Sequence, residues 1–315
     1  MRKSILLAAV AEQRETLLAA VSSLRAEAWD RRCPNPAPPQ GVTRIEEPHR
    51  TVRDLVAHIC VVDGIALDAS VTRPWNALRR LEMPRGWDRR RLAPFLELPP
   101  QDLATVLARS GERFGRMVEA APSALGRVPV AGPFGRKSLS QLVTRRVLHE
   151  WLHERDITDG LAGGQTQEIP APSAAVAAAM VDAVLASLPA EVLPRTAADH
   201  GVVRLIINLG GEAHHGRVGP QRIWAADFTR RQYGPRVIAT PDTTVQIDAP
   251  ALALLANGRA DRMAAEPALR IEGIEALGHA LLDAIRCPER DLACVDPADQ
   301  VIDLGESAAQ NASLY

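Results

Sequence analysis

The sequence predicts an N-terminal four-helix bundle followed by a smaller α/β or α+β domain. Apolar residues recur at helical spacing through most of the first half of the chain. A break rich in glycine and proline follows between Gly163 and Pro172. Beyond it, alternating apolar and polar segments predict strands among the helices. We therefore expect a bundle over residues 1–165 and a second domain over residues 173–305, a division that suits a chain of 315 residues.

The four helices of the bundle are predicted from apolar spacing and from their boundary residues. They are expected to cover residues 4–29, a segment that begins at Thr51, residues 101–120 and residues 138–158. At the start of the second helix, Thr51 and Asp54 form an acidic variant of the capping box. Gly160 is predicted to end the fourth helix. The long proline-containing connection before the third helix is expected to be irregular.

The second half of the chain is predicted to mix helices and strands. The helices are expected over residues 173–188, 249–257 and 274–285, and the extended segments over residues 202–209, 223–228 and 236–248. This order of elements predicts an α/β or α+β domain.

Composition excludes some classes of partner. The chain has 37 basic and 38 acidic residues, so no charge excess favours nucleic acid or an anionic membrane. No apolar stretch approaches the roughly 18 residues that span a bilayer. The basic and apolar N-terminus imitates a signal peptide, but its apolar pattern continues at helical spacing as a first helix. The four cysteines form no Cys-x-x-Cys pair and fit a reducing compartment. We predict a cytoplasmic protein that acts on small molecules.

The segment from His149 to His153 reads HEWLH and is the strongest chemical signal in the chain. Two histidines four residues apart on a helix lie on one face and can share a divalent metal. Two hypotheses follow. In a zinc hydrolase, Glu150 would be the general base and a further ligand would lie downstream. In a helical bundle, the further ligand would come from a distant helix.

The downstream sequence does not favour the hydrolase hypothesis. In the extended zinc-protease motif, a glycine and a third histidine follow the second histidine, but Asp156 and Asp159 occupy those positions. A downstream glutamate ligand would have to be Glu168, in the glycine- and proline-rich break, or Glu191. Neither position suits a ligand on a following helix.

Two other segments carry a family resemblance. Residues 51–58 read TVRDLVAH, and residues 153–157 read HERDI. In order and spacing they resemble the mycothiol-dependent maleylpyruvate isomerase family. The resemblance implies a DinB-like metal-binding bundle and a C-terminal domain similar to sterol carrier proteins. The second half, with Asn257, Gly258 and Arg259 in a helix expected over residues 250–259, is similar to that second domain.

The resemblance implies that His58 and His153 are metal ligands. The family's remaining ligand, four residues before the second histidine, is usually glutamate, and here it is His149. A three-histidine site carries one more positive charge than a site with a carboxylate ligand, so its metal is a stronger Lewis acid. Zinc is the first expectation, although three imidazoles also suit Fe(II) or Ni(II). Asp156 is placed to accept a hydrogen bond from His153.

The reaction implied by the resemblance uses a low-molecular-weight thiol, mycothiol or a similar compound. Its thiolate adds to a conjugated double bond for isomerisation, or attaches to an electrophile in an S-transfer. The substrate is expected to be small, electrophilic and anionic, with Arg259 as a binding residue. Two alternatives stay open: a zinc hydrolase that uses Glu150 as base, and a non-catalytic binding protein whose metal is structural.

Overall fold

A computed structural model describes residues 1–33, 50–71, 89–123, 129–132, 135–162, 171–191, 196, 198–210, 219–235, 240–259 and 268–285. The first half is mainly helical, and the second half adds a small mixed sheet. The predicted fold class is therefore confirmed.

The described residues of the N-terminal half form five helices and one hairpin. They are α1 (Lys3–Ser22), α2 (Val52–Val71), α3 (Arg89–Leu96), α4 (Pro100–Ala120), β1 (Pro129–Gly132), β2 (Gly135–Ser138) and α5 (Leu139–Ala162). The first helix is shorter than predicted, because a separate 3₁₀ turn at Ala26–Ala28 follows it. The sequence analysis missed α3, which tolerates Pro94 in its interior, and the antiparallel β1–β2 hairpin.

The predicted capping box at the start of α2 is confirmed. The backbone N–H of Thr51 donates to Asp54 Oδ2 at 2.8 Å, and the N–H of Asp54 donates to Thr51 Oγ1 at 3.2 Å. Both bonds satisfy donors that would otherwise be left open at a helix start. They fix where α2 begins and therefore which of its residues face the other helices.

The prediction that Gly160 ends the fourth helix is wrong. Helix α5 continues through it to Ala162. A Cβ atom at this position would lie 3.0 Å from the carbonyl oxygen of Arg32 and 3.0 Å from Cys33 Sγ. The glycine therefore allows a close approach between α5 and the segment after α1, which a larger residue would block.

In the C-terminal half, the part of the chain that the structure describes forms three helices and a five-stranded sheet. The elements are α6 (Ala174–Glu191), β3 (Val202–Asn208), β4 (Gln221–Asp227), β5 (Gln232–Gly234), β6 (Thr243–Asp248), α7 (Ala249–Ala256), β7 (Leu269–Gly273) and α8 (Glu275–Ile285). The strand order is β5-β4-β3-β6-β7, with β3 and β6 parallel and the other pairs antiparallel. Thr243, Val245 and Ile247 are alternate residues of β6, and all three are buried, as their alternation in the sequence predicted.

Two apolar cores hold the described elements together. One packs α2 against α4 and the C-terminal part of α1. The other is continuous from α1, α4 and α5 through α6 to the sheet. Helix α6 packs against both α1 and α5, so apolar packing joins the two halves of the chain. The predicted limits of 1–165 and 173–305 stay a prediction. None of the described helices is both long and apolar enough to cross a membrane.

Candidate metal centre

Three histidines meet between α2 and α5. His58 comes from α2, and His149 and His153 come from successive turns of α5. One nitrogen from each ring can be chosen so that the three atoms lie within 4.8 Å of one another. The Nε2 atoms of His58 and His149 are 3.0 Å apart. His58 and His153 are 0% exposed and His149 is 7% exposed. We call this group the histidine triad.

The triad is suited to a cation. Burial, followed by the positive charge that His153 and His58 would carry, lowers the pKa of His149 well below its ordinary value. This ring is therefore neutral at physiological pH and keeps a nitrogen lone pair. Within the described residues the triad is the cluster that can hold a metal, and three imidazoles are a ligand set that zinc accepts. The structure thus brings together all three histidines that the sequence analysis named.

Asp156 orients one member of the triad. Its Oδ2 lies 3.0 Å from His153 Nδ1, and a carboxylate can only accept, so Nδ1 is the donor. The proton at Nδ1 leaves the Nε2 lone pair of His153 available for a metal. The structure therefore has the contact that the sequence analysis expected of Asp156.

Arg259 reaches the same carboxylate from the second half of the chain. Its Nε donates to Asp156 Oδ1 at 2.9 Å and its Nη2 to Oδ2 at 2.8 Å. Burial alone would raise the pKa of Asp156, but the charge and hydrogen bonds of Arg259 hold it well below its usual value. The predicted substrate-binding role of Arg259 stays a prediction, because two of its donors are directed at Asp156.

A second buried group lies beside the triad and consists of Arg14, Asp63, Arg146 and Glu150. We call it the charge cluster. Arg14 Nη2 lies 2.9 Å from Asp63 Oδ2 and 2.5 Å from Glu150 Oε1. Arg146 Nη2 lies 2.5 Å from Asp63 Oδ1 and 2.8 Å from Glu150 Oε1. Two guanidinium groups thus balance two carboxylates inside the bundle.

Glu150, which the hydrolase hypothesis needs as its general base, is held by ion pairs in the charge cluster. Glu150 is 3% exposed, and both its oxygens accept from Arg14, Oε2 at 3.1 Å from Nε and Oε1 at 2.5 Å from Nη2. A general base needs a lone pair within reach of the proton that it abstracts. The lone pairs of Glu150 are instead directed at guanidinium groups. The structure therefore places Glu150 among ion pairs and away from the role of base.

Sequence analysis did not find Arg14 and Asp63. Each carries a signal in retrospect, because each is a charged residue among mainly apolar buried residues of α1 or α2. Gly111 on α4 is a third signal, since a Cβ there would lie 2.9 Å from Arg14 Cγ. The glycine makes room for the arginine to pass between α1 and α4. Ser110 completes the group by donating to Asp63 Oδ2 at 2.6 Å.

A cavity of about 660 Å³ opens elsewhere, between the start of β3 and α8. Its lining includes His200, Asp242 and Leu277 and none of the three triad histidines. The candidate metal centre is therefore identified by its three converging histidine nitrogens and not by the size of a cavity.

Comparison with known proteins agrees with the resemblance predicted from the sequence. Residues 48–158 match the family model described as mycothiol maleylpyruvate isomerase N-terminal domain. This stretch contains His58, His149 and His153. No curated protein sequence matches the chain.

Among solved structures, a mycothiol-dependent maleylpyruvate isomerase is similar at 14% identity and a TM-score of 0.48, over 86% of this chain and 93% of that chain. A sterol carrier protein 2 like 2 from Aedes aegypti is similar at 18% identity and a TM-score of 0.26, over 33% of this chain and 91% of that chain. The family-model match over residues 48–158 confirms the predicted resemblance for the segment that carries the triad.

Proposed function

We propose that this protein is a metal-dependent enzyme that activates a low-molecular-weight thiol, mycothiol or a similar compound. The thiol would serve either isomerisation of a small electrophilic anion or S-transfer to it. His58, His149 and His153 would hold the divalent metal, with zinc preferred and Fe(II) or Ni(II) also suited. We further propose that the enzyme acts in the cytoplasm, where Cys33 and Cys60 would stay reduced.

The observation that carries the proposal is the convergence of three buried imidazoles within the family-model match. Three protein ligands leave coordination positions for a thiol or a substrate. When bound, the metal would supply Lewis acidity, which favours the deprotonated form of a coordinated thiol.

Among the described residues, the two charged groups that contact the triad carry no net negative charge. Asp156 is paired with Arg259, and the charge cluster combines two cations with two anions. Three neutral imidazoles therefore leave the charge of a divalent metal uncompensated by its ligands. Such a site favours anionic partners, and both a thiolate and a small carboxylate substrate fit this requirement.

Two alternatives are less well supported. The hydrolase hypothesis needs Glu150 as base, and the ion pairs with Arg14 and Arg146 oppose that role. A structural metal would have four protein ligands, whereas the described cluster offers three.

Metal binding by the triad is tested with His58→Ala. The protein is stripped with a chelator and titrated with Zn(II) by calorimetry. We expect the variant to bind more than about 100-fold more weakly than the unaltered protein, because losing a ligand costs more than losing a residue that only orients one. His200→Ala is the matched control, since its side chain is 87% exposed, and it should bind as the unaltered protein does. Full retention of zinc by His58→Ala would contradict the proposal.

The thiol step is tested separately on the metal-loaded protein. Cobalt replaces zinc, and mycothiol is added while the absorption spectrum is recorded. We expect a new sulfur-to-cobalt charge-transfer band, absent when the S-methylated thiol is used. If cobalt binds with the triad intact and no thiol changes its spectrum, the metal site stands and the thiol-dependent reaction is rejected.

A further inference from the structure

We propose that the cavity between the start of β3 and α8 is a second ligand site, which binds a small organic cation with an apolar body. The described lining of this cavity contains no residue of the histidine triad or of the charge cluster. The inference therefore goes beyond the proposed function and does not depend on the metal centre. The volume of about 660 Å³ lies within the range of roughly 300–1,000 Å³ that is usual for small-molecule sites.

The cavity is built on segments that backbone hydrogen bonds tie to one another. The backbone N–H of Asp242 donates to the carbonyl oxygen of Val202 at 2.9 Å, and that of Ile274 donates to the carbonyl oxygen of Asp242 at 3.2 Å. The carbonyl oxygen of Gly201 accepts from the N–H of Phe228 at 2.9 Å. The lining segments at the start of β3, before β6 and before α8 are thus held together without a ligand, so the cavity is pre-formed.

One wall of the cavity is apolar. Ile274 is 56% exposed, and Val202, Leu277 and Ala280 line the cavity together with it. A single exposed isoleucine is ordinary, but this one continues into other apolar side chains inside a concave surface. A ligand that covers this wall removes apolar surface from water, which supplies affinity for a hydrocarbon body.

The polar part of the described lining carries an excess of negative charge. It contains three aspartates, Asp199, Asp227 and Asp242, and one arginine, Arg230. Asp227 is bound to Arg230, whose backbone N–H donates to its Oδ1 at 2.8 Å, and Asp199 is paired with the side chain of His200. With a neutral His200, three carboxylates and one guanidinium leave two net negative charges, which favour a cationic ligand.

Asp242 is the carboxylate that is best placed to bind the cation. Its Oδ2 accepts from the backbone N–H of Val202 at 2.8 Å, which orients the carboxylate, and it forms no ion pair with another described residue. Its backbone carbonyl oxygen accepts from Ile274, so the charge and the apolar wall are neighbours. An ammonium group bound to Asp242 can therefore place its hydrocarbon chain on Ile274 and Leu277. An anionic ligand would meet the excess of carboxylates, so this cavity and the triad should prefer ligands of opposite charge.

Binding is tested on the full chain with three probes of similar shape: phenethylammonium, the neutral phenethyl alcohol and the anion hydrocinnamate. The reporter is the Cδ1 methyl resonance of Ile274, assigned by its loss in Ile274→Val. We expect this resonance to shift in a saturable way with phenethylammonium. Phenethyl alcohol should bind about 3- to 5-fold more weakly, since a partly exposed ion pair adds a modest share of the affinity. Hydrocinnamate should bind more weakly than either.

Two matched pairs of variants locate the site, with affinities read from the line widths of the probe. Asp242→Asn keeps an oxygen acceptor for Val202 and should weaken phenethylammonium binding by about 3- to 5-fold, with phenethyl alcohol unchanged. Asp102→Asn, which removes an exposed carboxylate of α4, should change neither. Ile274→Ser should weaken the binding of both probes. Ile223→Ser should weaken neither, because Ile223 is 54% exposed but lies outside the described lining.

Equal affinities for hydrocinnamate and phenethylammonium, or equal effects of Asp242→Asn and Asp102→Asn, would overturn the preference for a cation. An Ile274 methyl shift that stays linear up to about 10 mM phenethylammonium would reject the site itself, because the affinity would then be too weak for specific binding. No metal is used in these measurements. A negative result here therefore leaves the proposed metal centre standing, and a failure of zinc binding leaves this test unchanged.

Discussion

The histidine triad and the charge cluster are two buried polar sites that share one helix and differ in how their charges are satisfied. Arg146, His149, Glu150 and His153 lie at positions i, i+3, i+4 and i+7 of α5 and so form one stripe. In the charge cluster, each cation is in contact with both anions. In the triad, three ring nitrogens converge without an opposite charge between them.

This difference separates a structural role from a functional one. A closed set of ion pairs is costly to break, because removing one partner leaves an uncompensated buried charge. A set of neutral bases gains little from being buried together, and it gains a great deal when a cation is added. Residues that work against local stability are expected where function requires them. We therefore propose the triad as the functional site and the charge cluster as its support.

The largest expected effect on stability comes from breaking the charge cluster. Asp63→Asn removes the anion that contacts both Arg14 and Arg146 and leaves two buried guanidinium groups with one carboxylate. We expect a loss of about 3–5 kcal/mol in the free energy of unfolding. The measurement is urea unfolding in the presence of a chelator.

The matched control for this variant is Asp182→Asn, which breaks the partly exposed ion pair with Arg222. It should lower the free energy of unfolding by less than about 1 kcal/mol, as is typical when a surface ion pair is broken. If Asp63→Asn and Asp182→Asn lower the free energy of unfolding by similar amounts, the charge cluster does not have the supporting role proposed for it.

The second prediction uses the acid dependence of the same carboxylate. Burial alone would raise the pKa of Asp63, but the charges of Arg14 and Arg146 and the hydrogen bond from Ser110 bring it below its usual value. A depressed native pKa means that the stabilisation is complete above about pH 4 and is lost as the pH falls from there through the native value. The gap in stability between the unaltered protein and Asp63→Asn should therefore narrow below about pH 4, by up to about 1.4 kcal/mol per pH unit.

Urea midpoints recorded from about pH 3 to about pH 7 in chelator test this dependence. Subtracting the Asp63→Asn series removes the contributions of the other acids, Asp156 included, because both proteins contain them. A gap that stays constant over the whole range would mean that Asp63 has the same pKa in the native and in the unfolded protein.

The comparison of the histidine triad with the charge cluster also explains which site residues the sequence could predict. His149 and His153 are four residues apart on one helix, so their convergence follows from helix geometry alone. His58 was found only through the family resemblance, because its distance from α5 depends on how two helices pack. Arg14 and Asp63 were not found, since a charged residue on an apolar face does not reveal which helix supplies its partner.

The predictions of the fold differ in the same way: features that depend on neighbouring residues were predicted, and features that depend on distant segments were not. The Thr51–Asp54 capping box and the alternation of Thr243, Val245 and Ile247 in β6 are local signals, and the structure has both. Gly160 also carried a local signal, for a helix end, but tertiary packing determined its role. Its close approach to Arg32 and Cys33 involves a segment distant in sequence, which no local pattern reports.

Changes to the histidine triad are expected to have the smallest effect on the free energy of unfolding and the largest effect on metal binding. The double variant His58→Leu, His149→Leu replaces two mutually contacting imidazoles by apolar groups of similar size. Removing both partners of a buried polar contact is nearly neutral, and volume-conserving changes cost less than about 1.5 kcal/mol. Arg146 Nη1, which lies 3.2 Å from His149 Nδ1, also loses its acceptor, at a further cost of about 1–3 kcal/mol. In chelator, the variant should therefore unfold within about 3 kcal/mol of the unaltered protein.

The addition of zinc then distinguishes the unaltered protein from the double variant. A ligand that binds only the folded state raises its stability by about 2.7 kcal/mol at 100 times its dissociation constant. Zinc should therefore raise the melting temperature of the unaltered protein and leave that of the double variant unchanged. The Asp63→Asn protein, if it folds, should keep a zinc response, because the three ligands remain. A double variant that loses more than about 3 kcal/mol in chelator would give the triad a structural role, since such losses are typical of broken buried networks.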